Sequence, residues 1–258
     1  MTAALGVESL SVRYGGVHAL QGVDLAVAPG RLVGLVGPNG AGKTTLIDAV
    51  GGFASSTGRV LLGGRDVSDL APHRRARLGL ARTWQAADLF DDLTVRENLN
   101  VAAARPSLGR SLSEVVRGQA HTAEGVDQGL AMLGLDGLAD AKADVLTQGQ
   151  RKLVGVARAL ASGPSVLCLD EPAAGLDSEE SRELGRRLRA VVDGGLAMLL
   201  VDHDMGLVLT VCDEVVVLDF GEVIARGTPD DVRRDRRVIE AYLGSAAAEV
   251  AADAEAAE

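Results

Sequence analysis

The hydrophobic positions of the chain fall into two patterns, alternating segments and short continuous runs. Residues 6 to 28 alternate apolar and polar side chains on either side of Gly15-Gly16, and residues 58 to 67 do so around a second glycine pair. Alternation around a glycine turn is typical of antiparallel strands with one buried face. These two segments therefore predict a small antiparallel sheet.

Continuous apolar runs end at Val36, Leu169 and Val201, and they predict strands that are buried on both faces of a parallel sheet. Ligands of parallel sheets bind at the carboxyl ends of the strands, so the residues that follow these runs form the candidate site. Shorter strands are predicted at 78–83, 215–218 and 223–225.

Helical spacing of apolar residues predicts the remaining elements. From Thr94 to Leu135 this spacing is interrupted by a proline and glycines, which indicates an inserted helical subdomain. Residues 245–258 contain only Ala, Ser, Val, Asp and Glu without a wide apolar face, which predicts a frayed tail. Further helices are predicted at 43–50, 72–78, 151–161 and 178–192, and a short one begins at Thr228-Pro229.

The run that ends at Val36 leads directly into a glycine-rich loop, GPNGAGKTT, and then into a helix. Small residues at a helix start allow successive backbone N–H groups to point at a phosphate. Lys43 then reaches the outer phosphates, and the Thr44 hydroxyl ligates the Mg²⁺ that bridges them. Because the chain has only three lysines, a chance match to G-x-x-x-x-G-K-T is expected at about one per cent or less. The loop therefore predicts nucleotide binding by Gly37, Pro38, Asn39, Gly40, Ala41, Gly42, Lys43, Thr44 and Thr45.

Acids and a histidine follow the other two runs. Asp170-Glu171 ends one and His203 follows the other, so both are expected beside the phosphate loop. Lys43 and Mg²⁺ would offset the charge of Asp170, while Glu171 would orient or deprotonate a water molecule. In isolation the acids would indicate a helix cap or a solvated turn, and a lone histidine is most often structural. Their position after buried strands favours the active site.

Two further signals are open to two interpretations each, and a third predicts a helix cap. Tyr14 stands at the first glycine turn of a chain with 2% aromatic residues, and it is either an adenine-stacking platform or a cover for the sheet edge. The helix start at Thr147, Gly149 and Gln150 suits an anion but equally suits a capped amphipathic helix. Asp177 with the acid three residues later resembles a capping box.

Composition limits the classes of function. The net charge is −10, and it is −6 over residues 1–244, so a nucleic-acid surface is not expected. No apolar run approaches the roughly 18 residues that span a bilayer, and the N-terminus shows no signal peptide, so we expect a soluble cytoplasmic chain. Cys168 and Cys212 are expected to be small core residues without a disulfide.

The order Tyr14, GPNGAGKTT, Gln85, LTQGQ, VLCLDEP, GLD and His203 resembles the ATP-binding subunit of ATP-binding cassette (ABC) transporters. The resemblance spans residues 5–244. It implies an α/β fold of the P-loop NTPase class, with a RecA-type core, an antiparallel β subdomain and an inserted helical signature subdomain. The implied boundaries are an ATPase domain at 1–244, with the core and β subdomain at about 5–85 and 155–244 and the helical subdomain at about 86–154, and a disordered acidic tail at 245–258.

The resemblance also implies residue roles. Tyr14 would stack on adenine, Gln85 would lie near Mg²⁺ and the attacking water, and Asp170 would be the Walker B acid. Magnesium would be held by Thr44, Gln85 and Asp170. The catalytic residues would be Glu171, His203 as the switch histidine, and Gln85, and Asp177 would be the D-loop acid.

In this family two ATPase subunits pack head to tail, so Thr147, Gly149 and Gln150 of one subunit would face the phosphate loop of the other. The signature departs from the familiar LSGGQ at Gln148, where glycine is usual, and Trp84 stands where phenylalanine is frequent.

The segments RTWQAADLFDDLTVRENLNVA, DEPAAGLD, VDHDMGLV and GTPDDVRRDRRVIEAYLG resemble the ATPase subunit of branched-chain amino acid importers. The implied cofactors are ATP and Mg²⁺. The implied partners are a second ATPase subunit in a homodimer or heterodimer, two transmembrane permease subunits and, indirectly, an extracytoplasmic solute-binding protein. The subunit would then lie at the cytoplasmic face of the cell membrane.

Other functions explain fewer of these features. Urea and amide importers have closely similar ATPases. An ATP-operated clamp of the DNA-repair type would need long heptad arms or a basic surface, and neither is present. A small P-loop kinase or GTPase would explain Lys43 but not the signature or His203, and a noncatalytic assembly subunit would leave the acids idle.

Overall fold

The computed structural model describes residues 3–83, 89–103 and 124–242, and it contains two β-sheets. The first is antiparallel, and its strands lie in the order β2-β1-β4-β5. Its strands are β1 (Leu5–Tyr14), β2 (Val17–Val27), β4 (Thr57–Leu62) and β5 (Arg65–Asp66). Both hairpins predicted from alternation are therefore confirmed.

The second sheet has six strands in the order β10-β9-β3-β8-β7-β6. All neighbours pair in parallel except β10, which runs antiparallel to β9 at the edge. The strands are β3 (Leu32–Val36), β6 (Leu80–Arg82), β7 (Val166–Asp170), β8 (Ala197–Val201), β9 (Glu214–Asp219) and β10 (Glu222–Gly227).

The central strands are buried along their whole length because each strand contributes side chains to two hydrophobic cores. In β7, Leu167 and Leu169 face one core, while Val166 and Cys168 face the other, which also includes the antiparallel sheet. Every residue of β3, β7 and β8 is buried for this reason. Burial also raises the pKa of the Cys168 thiol to about 12, and both cysteines are free and buried, as predicted.

The helices connect the strands and cover the sheets. Helices at 124–132 and 236–242 are denoted α4 and α9. The others are α1 (Lys43–Gly51), α2 (Pro72–Arg77), α3 (Val95–Ala103), α5 (Gln148–Leu160), α6 (Ser178–Asp193), α7 (Met205–Val211) and α8 (Pro229–Arg234). Short 3₁₀ turns lie at Asp136–Leu138 and Ala143–Val145.

The largest difference from a predicted helix boundary lies at the start of α5, whereas the ends of α1, α2, α5 and α6 differ from the predicted ends by one residue. The sequence placed the start of α5 at Arg151, whereas the helix begins at Gln148. The reason is a capping box, in which the Thr147 hydroxyl accepts the Gln150 N–H at 3.2 Å and the Gln150 amide accepts the Thr147 N–H at 3.0 Å. The predictions for Gln85 and Trp84, for 104–123 and for the tail at 245–258 lie outside the described residues.

Candidate functional site

Three strand ends meet at one edge of the six-stranded sheet. The phosphate loop follows β3, Asp170 is the last residue of β7, and His203 lies two residues beyond β8. Because β8 lies between β3 and β7 in parallel register, the residues after these strands converge, as the sequence predicted.

The phosphate loop lies tightly against neighbouring backbone. Gly37 has φ 152°, and a Cβ added there would lie 2.1 Å from the Leu218 carbonyl oxygen. Gly42 has φ 103°, and its added Cβ would lie 2.6 Å from the Ala19 carbonyl oxygen. Only glycine fits at these two positions. Gly42 also begins α1 without a side-chain cap, so the first N–H groups of that helix are not capped by a side chain.

Lys43 is 8% exposed and lies across its own loop. Its ammonium group donates to the carbonyl oxygens of Gly37 at 2.7 Å and Pro38 at 2.9 Å. Burial lowers the pKa of Lys43, and the negative charges of Glu171 and Asp170 oppose that shift. The adjacent Thr44 is exposed.

Asp170 is 6% exposed and forms an ion pair that no sequence pattern predicts. Arg82 Nη2 lies 2.9 Å from Asp170 Oδ2, and Arg82 Nη1 lies 2.5 Å from Asp48 Oδ1. The prediction named Lys43 and Mg²⁺ as the opposing charges, but the direct partner is this arginine. No motif marks Arg82, because its proximity to Asp170 depends on β6 pairing with β7.

Glu171 and His203 lie close together. His203 Nδ1 is 3.9 Å from Glu171 Oε2. Glu171 has φ 46°, an unusual value for a non-glycine residue, and its N–H donates to the Val201 carbonyl oxygen at 2.7 Å. The backbone around Glu171 is therefore tied to the end of β8.

Asp202, which was not among the predicted site residues, directly precedes His203 and is fully buried. Its carboxylate accepts N–H groups from Ala173 at 3.1 Å, His203 at 2.8 Å and Asp204 at 3.0 Å. Burial raises its pKa, and these hydrogen bonds oppose the shift. Asp202 thus joins the loop after β7 to the loop after β8.

Tyr14 lies at the end of β1, opposite Val17, and is 55% exposed. More than half of the residue is therefore accessible to a ligand.

The predicted signature and D-loop residues lie at two helix starts that touch each other. Asp177 caps α6 in a box with Glu180, as predicted. A Cβ added at Gly149, in the first turn of α5, would lie 2.7 Å from Glu180 Oε1. Gly175 is covered in the same way by Gln148, whose Nε2 would lie 2.4 Å from an added Cβ. The starts of α5 and α6 therefore pack directly on one another.

Within the described residues, no group of three or more His, Cys, Asp or Glu side chains is arranged to hold a metal. The oxygen donors of Thr44 and Asp170 are nevertheless of the type that Mg²⁺ prefers, with phosphates supplying the rest of the coordination shell. These residues fit a magnesium ion that is bound together with nucleotide.

Family membership follows from sequence similarity. The profile of the family described as "ABC transporter" matches residues 20–174, more than half of the chain. The chain belongs to the ABC transporter family. A second profile, described as "Branched-chain amino acid ATP-binding cassette transporter", matches residues 222–248 of this ABC protein.

Curated relatives match the ABC chain over nearly its whole length. The high-affinity branched-chain amino acid transport ATP-binding protein BraF of Pseudomonas aeruginosa is 38% identical, covering 94% of this chain and 98% of the relative. The high-affinity branched-chain amino acid transport ATP-binding protein LivG of Escherichia coli is 36% identical at the same coverage. The lipopolysaccharide export system ATP-binding protein LptB of Escherichia coli is 34% identical.

Solved structures show the same fold. The ADP conformation of MJ1267, an ATP-binding cassette of an ABC transporter, has a TM-score of 0.83 at 30% identity, covering 95% of this chain and 100% of that chain. The dimeric ABC cassette MJ0796 has a TM-score of 0.70 at 25% identity, with coverage of 87% and 98%. The predicted ABC ATPase cassette fold is therefore confirmed. In the part of the chain that the structure describes, no helix combines the length and hydropathy needed to cross a bilayer.

Proposed function

We propose that the chain is the Mg²⁺-dependent ATPase subunit of an ABC importer for branched-chain or other hydrophobic amino acids. The observation that carries the ATPase proposal is the convergence of Lys43, Asp170, Glu171 and His203 at one sheet edge. The substrate class rests on BraF and LivG and on the profile match at 222–248.

Nucleotide binding is assigned to the loop from Gly37 to Thr45 and to Tyr14. The triphosphate would draw the Lys43 ammonium away from the loop carbonyls that it now contacts, and the N–H groups at the start of α1 would face the phosphates. Tyr14 would stack on the adenine. Magnesium, bound to Thr44, Asp170 and Gln85, would neutralise phosphate charge.

Hydrolysis is assigned to Glu171, which would accept a proton from the attacking water. The hydrogen bond from its N–H to Val201 fixes the backbone from which the side chain extends. His203 would contact the γ-phosphate while Asp202 holds the backbone of its loop. Gln85 would help to orient the water.

Two chains, identical or sister subunits, would form each complete site. Thr147, Gly149 and Gln150 of one chain would then face the phosphate loop of the other, with Asp177 nearby. We assign 1–244 to the ATPase domain, about 86–154 to the helical subdomain that contacts a permease subunit, and 245–258 to an acidic tail. The assembly would include two permease subunits at the cytoplasmic face of the membrane and would receive solute from a binding protein.

The test is to purify the chain with its membrane partners, reconstitute the assembly with the binding protein, and measure ATP turnover. Leucine, isoleucine or valine should stimulate phosphate release severalfold, and urea and short amides should not. Stimulation by urea alone would refute the substrate class while leaving the ATPase in place. An absence of ATP turnover under every condition would refute the ATPase itself.

A further inference from the structure

Arg82 joins two acids that lie on different elements. Its guanidinium contacts Asp170 at the end of β7 and Asp48 on α1, the helix that follows the phosphate loop. The Arg82 side chain is 8% exposed, and its Cζ lies 5.9 Å from the centroid of the Phe53 ring. This is a largely buried charge whose position is set by both carboxylates.

The arginine contacts one of the two carboxylate oxygens of Asp170. Arg82 Nη2 donates to Oδ2, so the carboxylate that would bind the metal already accepts a charge-assisted hydrogen bond. Lys43, the other nearby cation, donates instead to the carbonyls of Gly37 and Pro38. Among the described residues, the cation bonded directly to Asp170 is therefore Arg82, and a carboxylate this deeply buried requires one.

The same arginine lies next to the segment that leads to Gln85. Thr83 N–H donates to the Cys168 carbonyl at 3.0 Å, and the Asp170 N–H reaches Thr83 Oγ1 at 3.3 Å. The strand end that carries Arg82 is thus attached by backbone as well as by charge to the strand that carries Asp170.

We propose that Arg82 is a positioning residue for the magnesium site, a permanent counter-ion that holds Asp170 by Oδ2 and lowers the affinity of this carboxylate for the metal. A positive charge one carboxylate away repels a divalent ion, and Asp48 moderates this effect because it shares the guanidinium. The inference rests on the proposed nucleotide function.

The test is a magnesium titration at a fixed saturating ADP concentration, with the melting temperature as the readout. Wild type is compared with Arg82→Gln, Arg82→Lys and Asp48→Asn. Arg59→Gln, which removes an exposed ion pair with Glu8 on the antiparallel sheet, is the matched control. The measured quantity is the Mg²⁺ concentration that gives half of the metal-dependent stabilisation.

Arg82→Gln should lower this midpoint by about tenfold, because even a water-like dielectric gives a unit charge that much effect on a divalent ion about 6 Å away. Asp48→Asn should raise the midpoint by severalfold, since the guanidinium charge then acts on Asp170 alone. Arg82→Lys, which keeps the charge, and Arg59→Gln should stay within about threefold of wild type.

If Arg82 only stabilised the fold, its variants would behave differently. All Arg82 variants would melt earlier with or without nucleotide, and their Mg²⁺ midpoints would match wild type, which would overturn the inference. If Arg82→Gln does not fold, Asp48→Asn decides the matter: a raised Mg²⁺ midpoint supports the inference, and an unshifted midpoint overturns it. A wild-type chain with no magnesium-dependent stabilisation would overturn the proposed function and this inference together, whereas a normal wild-type response with unshifted variants overturns the inference alone.

Discussion

Replacing Glu171 by glutamine keeps the size of the side chain but removes its ability to accept a proton. The side chain extends from a backbone held by the bond to Val201 at 2.7 Å, and His203 lies 3.9 Å from its carboxylate. An amide has the same shape, so the loop geometry should persist. Loss of a general base costs about 10² to 10⁴ in rate, or about 3 to 5 kcal/mol of transition-state stabilisation.

The assay is phosphate release under steady-state conditions, combined with ATP binding and a measurement of the mass of the ATP-bound species. Glu171→Gln should bind ATP and retain it in a dimer while turnover falls by that factor. Glu179→Gln, an exposed glutamate in the first turn of α6, is the matched control and should keep wild-type turnover. Unchanged turnover in Glu171→Gln would refute the assignment of the base.

Three other predictions concern Lys43, Gly175 and Asp202. Lys43→Ala should weaken ATP binding by about tenfold or more, because charge-assisted hydrogen bonds to phosphate are lost, and equal affinity in a calorimetric titration would contradict the phosphate-loop assignment. Gly175→Ala should lower the free energy of unfolding by about 1 to 2 kcal/mol, because its φ is 78° and the new Cβ meets Gln148; unaltered denaturant unfolding would contradict this contact. Asp202 has a raised pKa in the folded state, so its contribution to stability is full below its ordinary pKa of 3.8 and is lost as pH rises through the folded value. The free energy of unfolding of wild type, measured in urea at several acidic pH values, should therefore fall relative to that of Asp202→Asn as the pH rises. A difference that does not change with pH would refute the raised pKa of Asp202.

Periodicity and motif spacing were sufficient to predict the two sheets and the sheet edge at which the candidate site lies. The buried runs before Gly37, Asp170 and His203 could be recognised because a strand packed on both faces leaves no polar alternation. Because parallel strands run in one direction, their carboxyl ends could be predicted to lie at one edge without knowledge of any tertiary contact.

Contacts between elements could not be predicted in this way. Arg82 reaches Asp170 only because β6 is the neighbour of β7, and Asp202 became visible only through the three N–H groups that it accepts. The packing of Gln148 on Gly175 likewise depends on how two helix starts meet. Each of these contacts depends on strand order or helix packing, which local patterns do not encode.

The account depends most on the claim that a complete hydrolytic site needs two chains. The direct measurement is ATP turnover per chain as a function of chain concentration, with the mass of the species determined by light scattering at each point. We predict that turnover per chain rises with concentration as ATP-bound dimers form and approaches zero where only monomer is present. Full turnover per chain in a solution of monomers would contradict the account.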